Sequence, residues 1–384
     1  ILRPINFIIM KSLFKIVLSV VLISSIFSCQ KTDDVTAPPA RPYADVYPED
    51  LAKIEEFLDT HYVTVDADYN TTFTQIPAGG TQQPISEMAE LNFVERDFHD
   101  IKYKIYYLKL REGIGETTTR VDSAFVSYKG NTFTKTTADG VDTYTQNVFD
   151  QSETPVWFAL EDVIKGWGEI IPEFKTGTYT SNPDGTVSFD DYGAGVMFIP
   201  SGLGYFNTAT GNIASYSPLI FNFKLYKQRS RDHDLDKILS KYEYGLPELP
   251  NGEVDYVNGK INYNKTALDT DGDDIPDYLD VDDDGDGFLT KFEVRHSITT
   301  GAPPVKTYYY YPFTGAASDD PLTPYDDTRG IPREFTGSLM PVIIPPSTTP
   351  VMLKGPGTDD FNNVSRLRRH LDPNAKPPFY DQYQ

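Results

Sequence analysis

Ten of the eighteen residues from Asp269 to Asp286 are aspartate, with no lysine or arginine among them. Like charge at that density repels itself out of any compact arrangement unless something positive is bound within it. A cation is the natural remedy, and the spacing says where it would sit. Asp282, Asp284, Asp286 and Glu293 fall at positions 1, 3, 5 and 12 of a twelve-residue calcium loop, with Gly287 at the sharp turn of position 6, the Phe288 carbonyl at 7 and Thr290 at 9. Leu289 supplies an apolar residue at position 8. Upstream, Asp269, Asp271, Asp273, Asp277 and Asp280 repeat the spacing, although Asp274 replaces the turn glycine and Pro276 interrupts any incoming helix. Oxygen donors in this number favour calcium, in a structural role, over magnesium, which resists giving up its waters. The competing reading is a solvated acidic linker.

The two overlapping loops resemble thrombospondin type 3 repeats more than a paired-helix EF-hand. Over the whole chain, 34 basic against 56 acidic residues leave a net charge of −22. A nucleic-acid backbone would be repelled, and no segregated basic patch offsets this, so nucleic acid is excluded as a partner. The single cysteine, Cys29, rules out an intramolecular disulfide and a cysteine-based zinc site. His61, His99, His233, His296 and His370 are scattered, with no pair at helical ligand spacing. There is no P-loop, no strand-linked dinucleotide fingerprint and no G-x-S-x-G elbow.

The N-terminus reads as an address. Lys11 and Lys15 precede an apolar run from Leu13 to Phe27, shorter than the roughly 20 residues a spanning helix needs. This is the pattern of an export signal, with Met10 a better start than Ile1. The run ends in Ile26-Phe27-Ser28-Cys29, which resembles a bacterial lipobox, and the resemblance implies acylation of Cys29. Lys31-Thr32-Asp33-Asp34 resembles the acidic signal that sends some Bacteroidetes lipoproteins to the cell surface. The expected location is the outer membrane, on its periplasmic face or at the surface.

Residues 1–29 are thus the signal and lipobox, and 30–45 a polar tether. Residues 46–100 are expected to hold a helix and a loop. Leu51, Ile54, Phe57 and Leu58 recur at helical spacing from Pro48 to His61, and 62–85 read as loop. Strand patterns follow at Ile101–Leu110, Ala124–Tyr128, Gly195–Ile199 and Leu219–Tyr226, with a short helix expected at Leu160–Ile164. Strands wrapped round one short helix predict an antiparallel α+β domain over 101–228. A connector at 229–265, with a helix expected at Asp232–Tyr242, leads to the calcium repeats at 266–296. Residues 297–384 hold 14 of the 29 prolines, which predicts irregular structure with few ladders.

Within 101–228 five short motifs stand in order: Val126-Ser127-Tyr128-Lys129-Gly130; Val148-Phe149-Asp150-Gln151-Ser152; Phe158-Ala159-Leu160 with Val163-Ile164-Lys165-Gly166-Trp167; Phe198-Ile199-Pro200-Ser201-Gly202-Leu203-Gly204-Tyr205; and Ser217-Pro218-Leu219-Ile220-Phe221. In this order they resemble the FKBP-type peptidyl-prolyl cis-trans isomerases. The resemblance implies an FKBP-like sheet and a catalytic pocket of Tyr128, Phe149, Asp150, Val156, Phe158, Val163, Ile164, Trp167, Tyr205, Ile213 and Phe221, working without a cofactor on proline-containing peptides or unfolded exported proteins. Departures from the pattern are Val156 where an aromatic is usual, with Trp157 beside it, Phe206 where glycine is usual, and Ala214-Ser215 where two prolines are usual. Inserts at 132–147 and 178–193 lengthen two connections. The competing function is a proline-peptide-binding or calcium-dependent adhesion module that does not turn over.

Overall fold

Two apolar faces on one set of strands explain most of the core. The computed structural model describes residues 39–244, 256–257, 260–261, 268–313, 316, 318–321, 327–333, 339–343, 348–354 and 367–377. The export signal, Cys29 and Lys31–Asp34 lie outside the described residues. The chain opens with helix α1 (Tyr43–Thr60) and a hairpin of β1 (His61–Val65) and β2 (Thr71–Gln75). There follow β3 (Leu91–Phe98), β4 (Ile101–Arg111), β5 (Ser123–Ala138), β6 (Val141–Ala159), helix α2 (Lys165–Ile170), β7 (Thr178–Ser181), β8 (Val187–Asp190), β9 (Gly193–Ile199) and β10 (Leu219–Arg229). Six of these strands form one sheet in the order β3-β4-β9-β10-β5-β6, every neighbour antiparallel. The class is α+β, mostly antiparallel sheet with few helices.

Side chains alternate across a strand, and here both sides are covered. Met197, Ile199, Leu219, Phe221, Phe223 and Leu225 pack with Trp167, Ile170 and Ile171 of the α2 region on one face. Val196, Phe198 and Ile220 pack with Ile54, Phe57 and Leu58 of α1 on the other. The central strand β9 is buried along its whole length, which is why Gly193–Ile199 reads as a continuous apolar run rather than an alternating one.

Several boundaries differ from expectation. Helix α1 begins at Tyr43, so Pro48 sits inside it rather than opening it. Residues 62–85 are not all loop, since β1 pairs with β2 in a register from His61↔Gln75 to Val65↔Thr71. The six-stranded sheet begins at Leu91, ahead of residue 101. The short helix starts after Ile164, its N-cap residue, rather than at Leu160. The first insert extends β5 and β6 into a long hairpin that turns at Asp139-Gly140, both with positive φ, as a tight two-residue hairpin turn requires. The second forms the β7–β8 hairpin.

No helix forms over Asp232–Tyr242; it is loop until a single 3-10 turn at Ser240–Tyr242. Beyond it come β11 (Tyr256–Val257) paired with β12 (Lys260–Ile261), then helix α3 (Thr290–Glu293). The C-terminal region is more regular than its prolines suggested. It carries β13 (Arg295–Thr300) with β14 (Val305–Tyr310), and β15 (Leu339–Ile343) with β16 (Pro350–Lys354). A small core of Ile238, Val294, Tyr311, Phe313 and Ile331 ties this region to the segment after β10.

Candidate functional site

An aromatic cluster forms where β5, β6, β10 and α2 meet. Trp167, in the first turn of α2, is 3% exposed. It stands edge-on to Tyr128 at 5.5 Å, Phe158 at 5.6 Å and Phe221 at 5.3 Å between ring centroids. Phe149 meets Phe221 at 5.4 Å and 88°. Edge-to-face pairs at these separations are favourable because the positive ring edge meets the negative face. Phe149 reaches this place through a β-bulge. Between the pairs Gly130↔Asp150 and Asn131↔Val148, β6 carries one residue more than β5, and that residue is Phe149. A bulge re-aims a side chain in this way. Gly130 is required beneath it, since a Cβ there would lie 2.7 Å from Phe149 and 2.8 Å from Phe221.

Of the eleven pocket residues expected from the sequence, Trp167, Ile213 and Phe221 belong to the hydrophobic core on this face of the sheet, and Tyr128, Phe149, Phe158, Val163, Ile164 and Tyr205 pack against it. Asp150 joins it through a hydrogen bond, the Tyr128 hydroxyl donating to Asp150 Oδ2 at 2.5 Å. Burial, then the Asp150 carboxylate, pushes the Tyr128 hydroxyl well above the usual tyrosine pKa. Tyr205 is raised for the same two reasons, so both phenols remain protonated donors. Val156 pairs with Val126 in unbroken register with Phe158 and so shares its face of β6. Trp157 does not take the place of the usual aromatic. It points to the other side, against Phe125 at 5.0 Å and under the Arg229 guanidinium at 4.7 Å.

The loop that carries Tyr205 is held by α1, through Asp50 and Tyr43, which the sequence did not single out. Asp50 of α1 is fully buried, and its Oδ2 accepts both the Ser201 N–H at 2.8 Å and the Ser201 hydroxyl at 2.5 Å. Lys53 lies 3.7 Å from the other carboxylate oxygen. Gly202 lies over the Tyr103 hydroxyl, where a Cβ would come within 2.4 Å. Phe206 adopts a positive φ of 49°, the conformation that suits glycine. Its ring stacks on Tyr43 at 3.8 Å, and Tyr43 stacks on His99 at 3.7 Å, so Phe206 anchors the loop to α1. Hydrogen bonds to a charged group contribute about 1.5–3 kcal/mol each. Asp50→Ala is therefore expected to destabilise the fold by roughly 3 kcal/mol, measurable by urea denaturation, and a change below about 1 kcal/mol would show that the loop is held otherwise.

In the acidic segment, the expected loops have closed-loop geometry. The position-1 aspartate accepts the N–H of position 6 in both, Asp274 to Asp269 at 3.1 Å and Gly287 to Asp282 at 3.0 Å. Asp274 takes the positive φ that its missing glycine would have supplied, 73° against 91° at Gly287. The structure brings Asp269, Asp271 and Asp273 together, and likewise Asp282, Asp284 and Asp286, each set within 4.8 Å. Asp277 is instead occupied by Thr270, whose N–H and hydroxyl it accepts at 2.7 Å each. Asp280 accepts the Asp282 N–H at 3.0 Å, and Thr290 accepts that of Asp283 at 3.0 Å. Neither stands in a carboxylate set, and Phe288 holds its ring partly exposed. Glu293 is fully buried with both carboxylate oxygens unbonded, and one oxygen each of Asp282 and Asp284 is in the same state. Burial and neighbouring aspartates push Glu293 up to about 10 and Asp284 to about 7. Such orphaned hard oxygens fit a calcium ion, which would neutralise them.

Among the described residues no helix is long and apolar enough to cross a membrane. Residues 233–325 match the family model described as BamM C-terminal. No curated protein matches the chain. Among solved structures, similar chains include FKBP-type peptidyl-prolyl isomerases. One is a peptidyl-prolyl cis-trans isomerase from Pseudomonas syringae pv. tomato, 19% identical with a TM-score of 0.28, over 50% of this chain and 99% of that one. Another is FkpA from Escherichia coli, 22% identical with a TM-score of 0.27, over 48% of this chain and 60% of that one. A third is the N-terminal domain of FKBP42 from Arabidopsis thaliana, 13% identical with a TM-score of 0.24, over 32% of this chain and 85% of that one.

Proposed function

We propose that the chain is an FKBP-type peptidyl-prolyl cis-trans isomerase, anchored by lipid at the outer membrane and acting on proline-containing segments of exported proteins. One observation carries this reading: nine of the eleven pocket residues expected from the sequence, drawn from all five motifs and from Ile213, lie in or pack against one hydrophobic core around Trp167. Rotation about an X-Pro bond must break amide resonance against a barrier of about 18–20 kcal/mol, with no bond made or cleaved. The chain's own residues meet that need by desolvation and orientation. Trp167, Phe221, Phe149 and Tyr128 form an apolar wall that disfavours the charge-separated planar amide relative to its twisted form. Tyr205 supplies a hydroxyl and Ile164 a backbone N–H to the substrate's carbonyls. Asp150 holds the Tyr128 hydroxyl in place. Val156 leaves one side of the wall open to a bulky residue before proline.

Calcium in the 269–280 and 282–293 loops has a structural role in this reading. Asp269, Asp271 and Asp273 would hold one ion, and Asp282, Asp284, Asp286 and Glu293, with the Phe288 carbonyl, a second. The ions supply positive charge to an otherwise self-repelling segment and take no part in turnover.

The test is proline-limited refolding of an unrelated protein, whose uncatalysed phase lasts tens of seconds. Micromolar full-length protein should shorten that phase. Tight binding of proline peptides with no acceleration would overturn the isomerase reading in favour of a binding module. The anchor is tested separately. Two or more acyl chains bind membranes far more firmly than one, so Cys29→Ser is expected to move the protein from the membrane to the soluble fraction. Continued sedimentation with membranes would place the anchor elsewhere.

A further inference from the structure

Directly after β10, the stretch Asp232–Glu243 repeats the loop geometry seen twice further on. Asp232, Asp234, Asp236, Ser240 and Glu243 occupy positions 1, 3, 5, 9 and 12. The position-6 N–H, from Lys237, donates to Asp232 at 3.3 Å, as Asp274 does to Asp269 and Gly287 to Asp282. The position-7 N–H, from Ile238, donates to Asp236 at 2.7 Å, as Ile275 does to Asp273 and Phe288 to Asp286 at 2.8 Å. The position-2 N–H, from His233, donates to Ser240 at 3.1 Å, as Thr270 does to Asp277 and Asp283 to Thr290. Lys237 carries a φ of 91°, equal to that of Gly287 at the same position.

Inside this loop four carboxylates converge. Asp234, Asp236, Glu243 and Asp283 each place an oxygen within 4.8 Å of the others. Asp236 is 1% exposed, Glu243 3% and Asp283 1%. Both oxygens of Glu243, both of Asp283 and Oδ2 of Asp234 and of Asp236 are buried without a hydrogen-bond partner. No lysine, arginine or histidine pairs with any of the four among the described residues. Taking one unpaired carboxylate out of water is already costly, and such groups are found paired or on a metal. Burial first, then mutual repulsion, raises the pKa of Glu243 and Asp236, so the bare cluster is unfavourable as four anions.

We propose that Asp234, Asp236, Glu243 and Asp283 form a further calcium site, shared between the 232–243 loop and the 282–293 loop. Asp283 is the residue that makes it shared. It sits at position 2 of its own loop, where it is no ligand to that loop's ion, and its carboxylate points across to Glu243. The ion staples the exit of β10 to the acidic repeats. The loop that holds it is also fixed to the segment before α2, because His233 pairs with Glu161 at 2.7 Å. All-oxygen donors of irregular number and mixed origin fit calcium rather than the strict octahedron of magnesium.

The experiment counts calcium ions on the detergent-solubilised full chain by native mass spectrometry at saturating calcium. Glu243→Gln and Asp283→Asn should each remove one ion, and the double variant should remove that same single ion and no more. Glu293→Gln should remove a different one, so that Glu243→Gln with Glu293→Gln removes two. A wild-type chain holding one ion, lost in Glu243→Gln but kept in Glu293→Gln, would uphold this site while sinking the two downstream ones. A count that neither Glu243→Gln nor Asp283→Asn lowers overturns the proposal. Should both variants fail to fold, a terbium titration of the wild type decides it. Three luminescent sites of which one is protected from water support the proposal, and none protected overturns it.

Discussion

Trp167→Ala is expected to lower the catalysed rate of proline-limited refolding by about 100-fold or more while the chain stays folded. Trp167 stands in edge-on contact with Tyr128, Phe158 and Phe221 together. Truncating a buried aromatic costs about 3–5 kcal/mol in lost transfer and residual cavity. The same wall is what the twisted amide would contact, and each 1.36 kcal/mol taken from transition-state stabilisation is tenfold in rate. The sheet has a second core under α1, so near-native circular dichroism should persist. Trp157→Ala is the matched control. That ring is 40% exposed on the opposite face, and its loss should change the rate less than twofold. A folded Trp167→Ala variant working within threefold of wild type would remove the pocket from the mechanism.

Chelation of calcium is expected to lower the melting temperature of the chain by roughly 10–20 °C. A ligand that binds only the folded state stabilises by about 2.7 kcal/mol at one hundred times its dissociation constant. Two ions held in the 269–280 and 282–293 loops would contribute about 5 kcal/mol, and each kcal/mol moves the midpoint of a domain of this size by about 2–4 °C, which gives this range before the ion proposed at the 232–243 loop adds its own share. Removing the ions leaves Glu293 buried and unbonded beside Asp282, Asp284 and Asp286, so the loss is felt in the small core that contains Val294. Differential scanning calorimetry with and without chelator measures it. Calcium should restore the transition, and magnesium at equal concentration should not. Identical transitions with and without chelator would sink the metal reading, and Glu293→Gln should reduce the shift by the share of one ion.

The strands of the main sheet were legible because burial marks the residues, as alternation along Ile101–Leu110 and as a continuous apolar run where β9 is covered on both faces. Ile101–Leu110, Gly195–Ile199 and Leu219–Tyr226 each fall inside an observed strand. The β1–β2 hairpin was not legible, since His-Tyr-Val-Thr-Val and Thr-Thr-Phe-Thr-Gln bury little beyond His61 and Phe73. The 232–243 segment misled for a different reason. Leu235, Ile238, Leu239 and Tyr242 recur at helical spacing, yet Asp232, Asp236 and Ser240 bond local backbone N–H groups. Such side-chain bonds offer the backbone an alternative to the helix. Its twelve-residue pattern was present in the spacing, hidden by lysine at the position where glycine marks the turn.

Residue types at short, ordered spacing were enough to single out most members of the aromatic cluster and the register of the acidic loops. The bulge that turns Phe149 inward, the reach of Asp50 across to Ser201, and the meeting of Asp283 with Glu243 exist only once the chain is packed. Asp50 and Ser201 are 151 residues apart, and no local preference encodes a contact at that separation. It arises when α1 packs on the sheet and the free energy of covering Phe57 and Phe198 brings two polar groups into a place where each must satisfy the other.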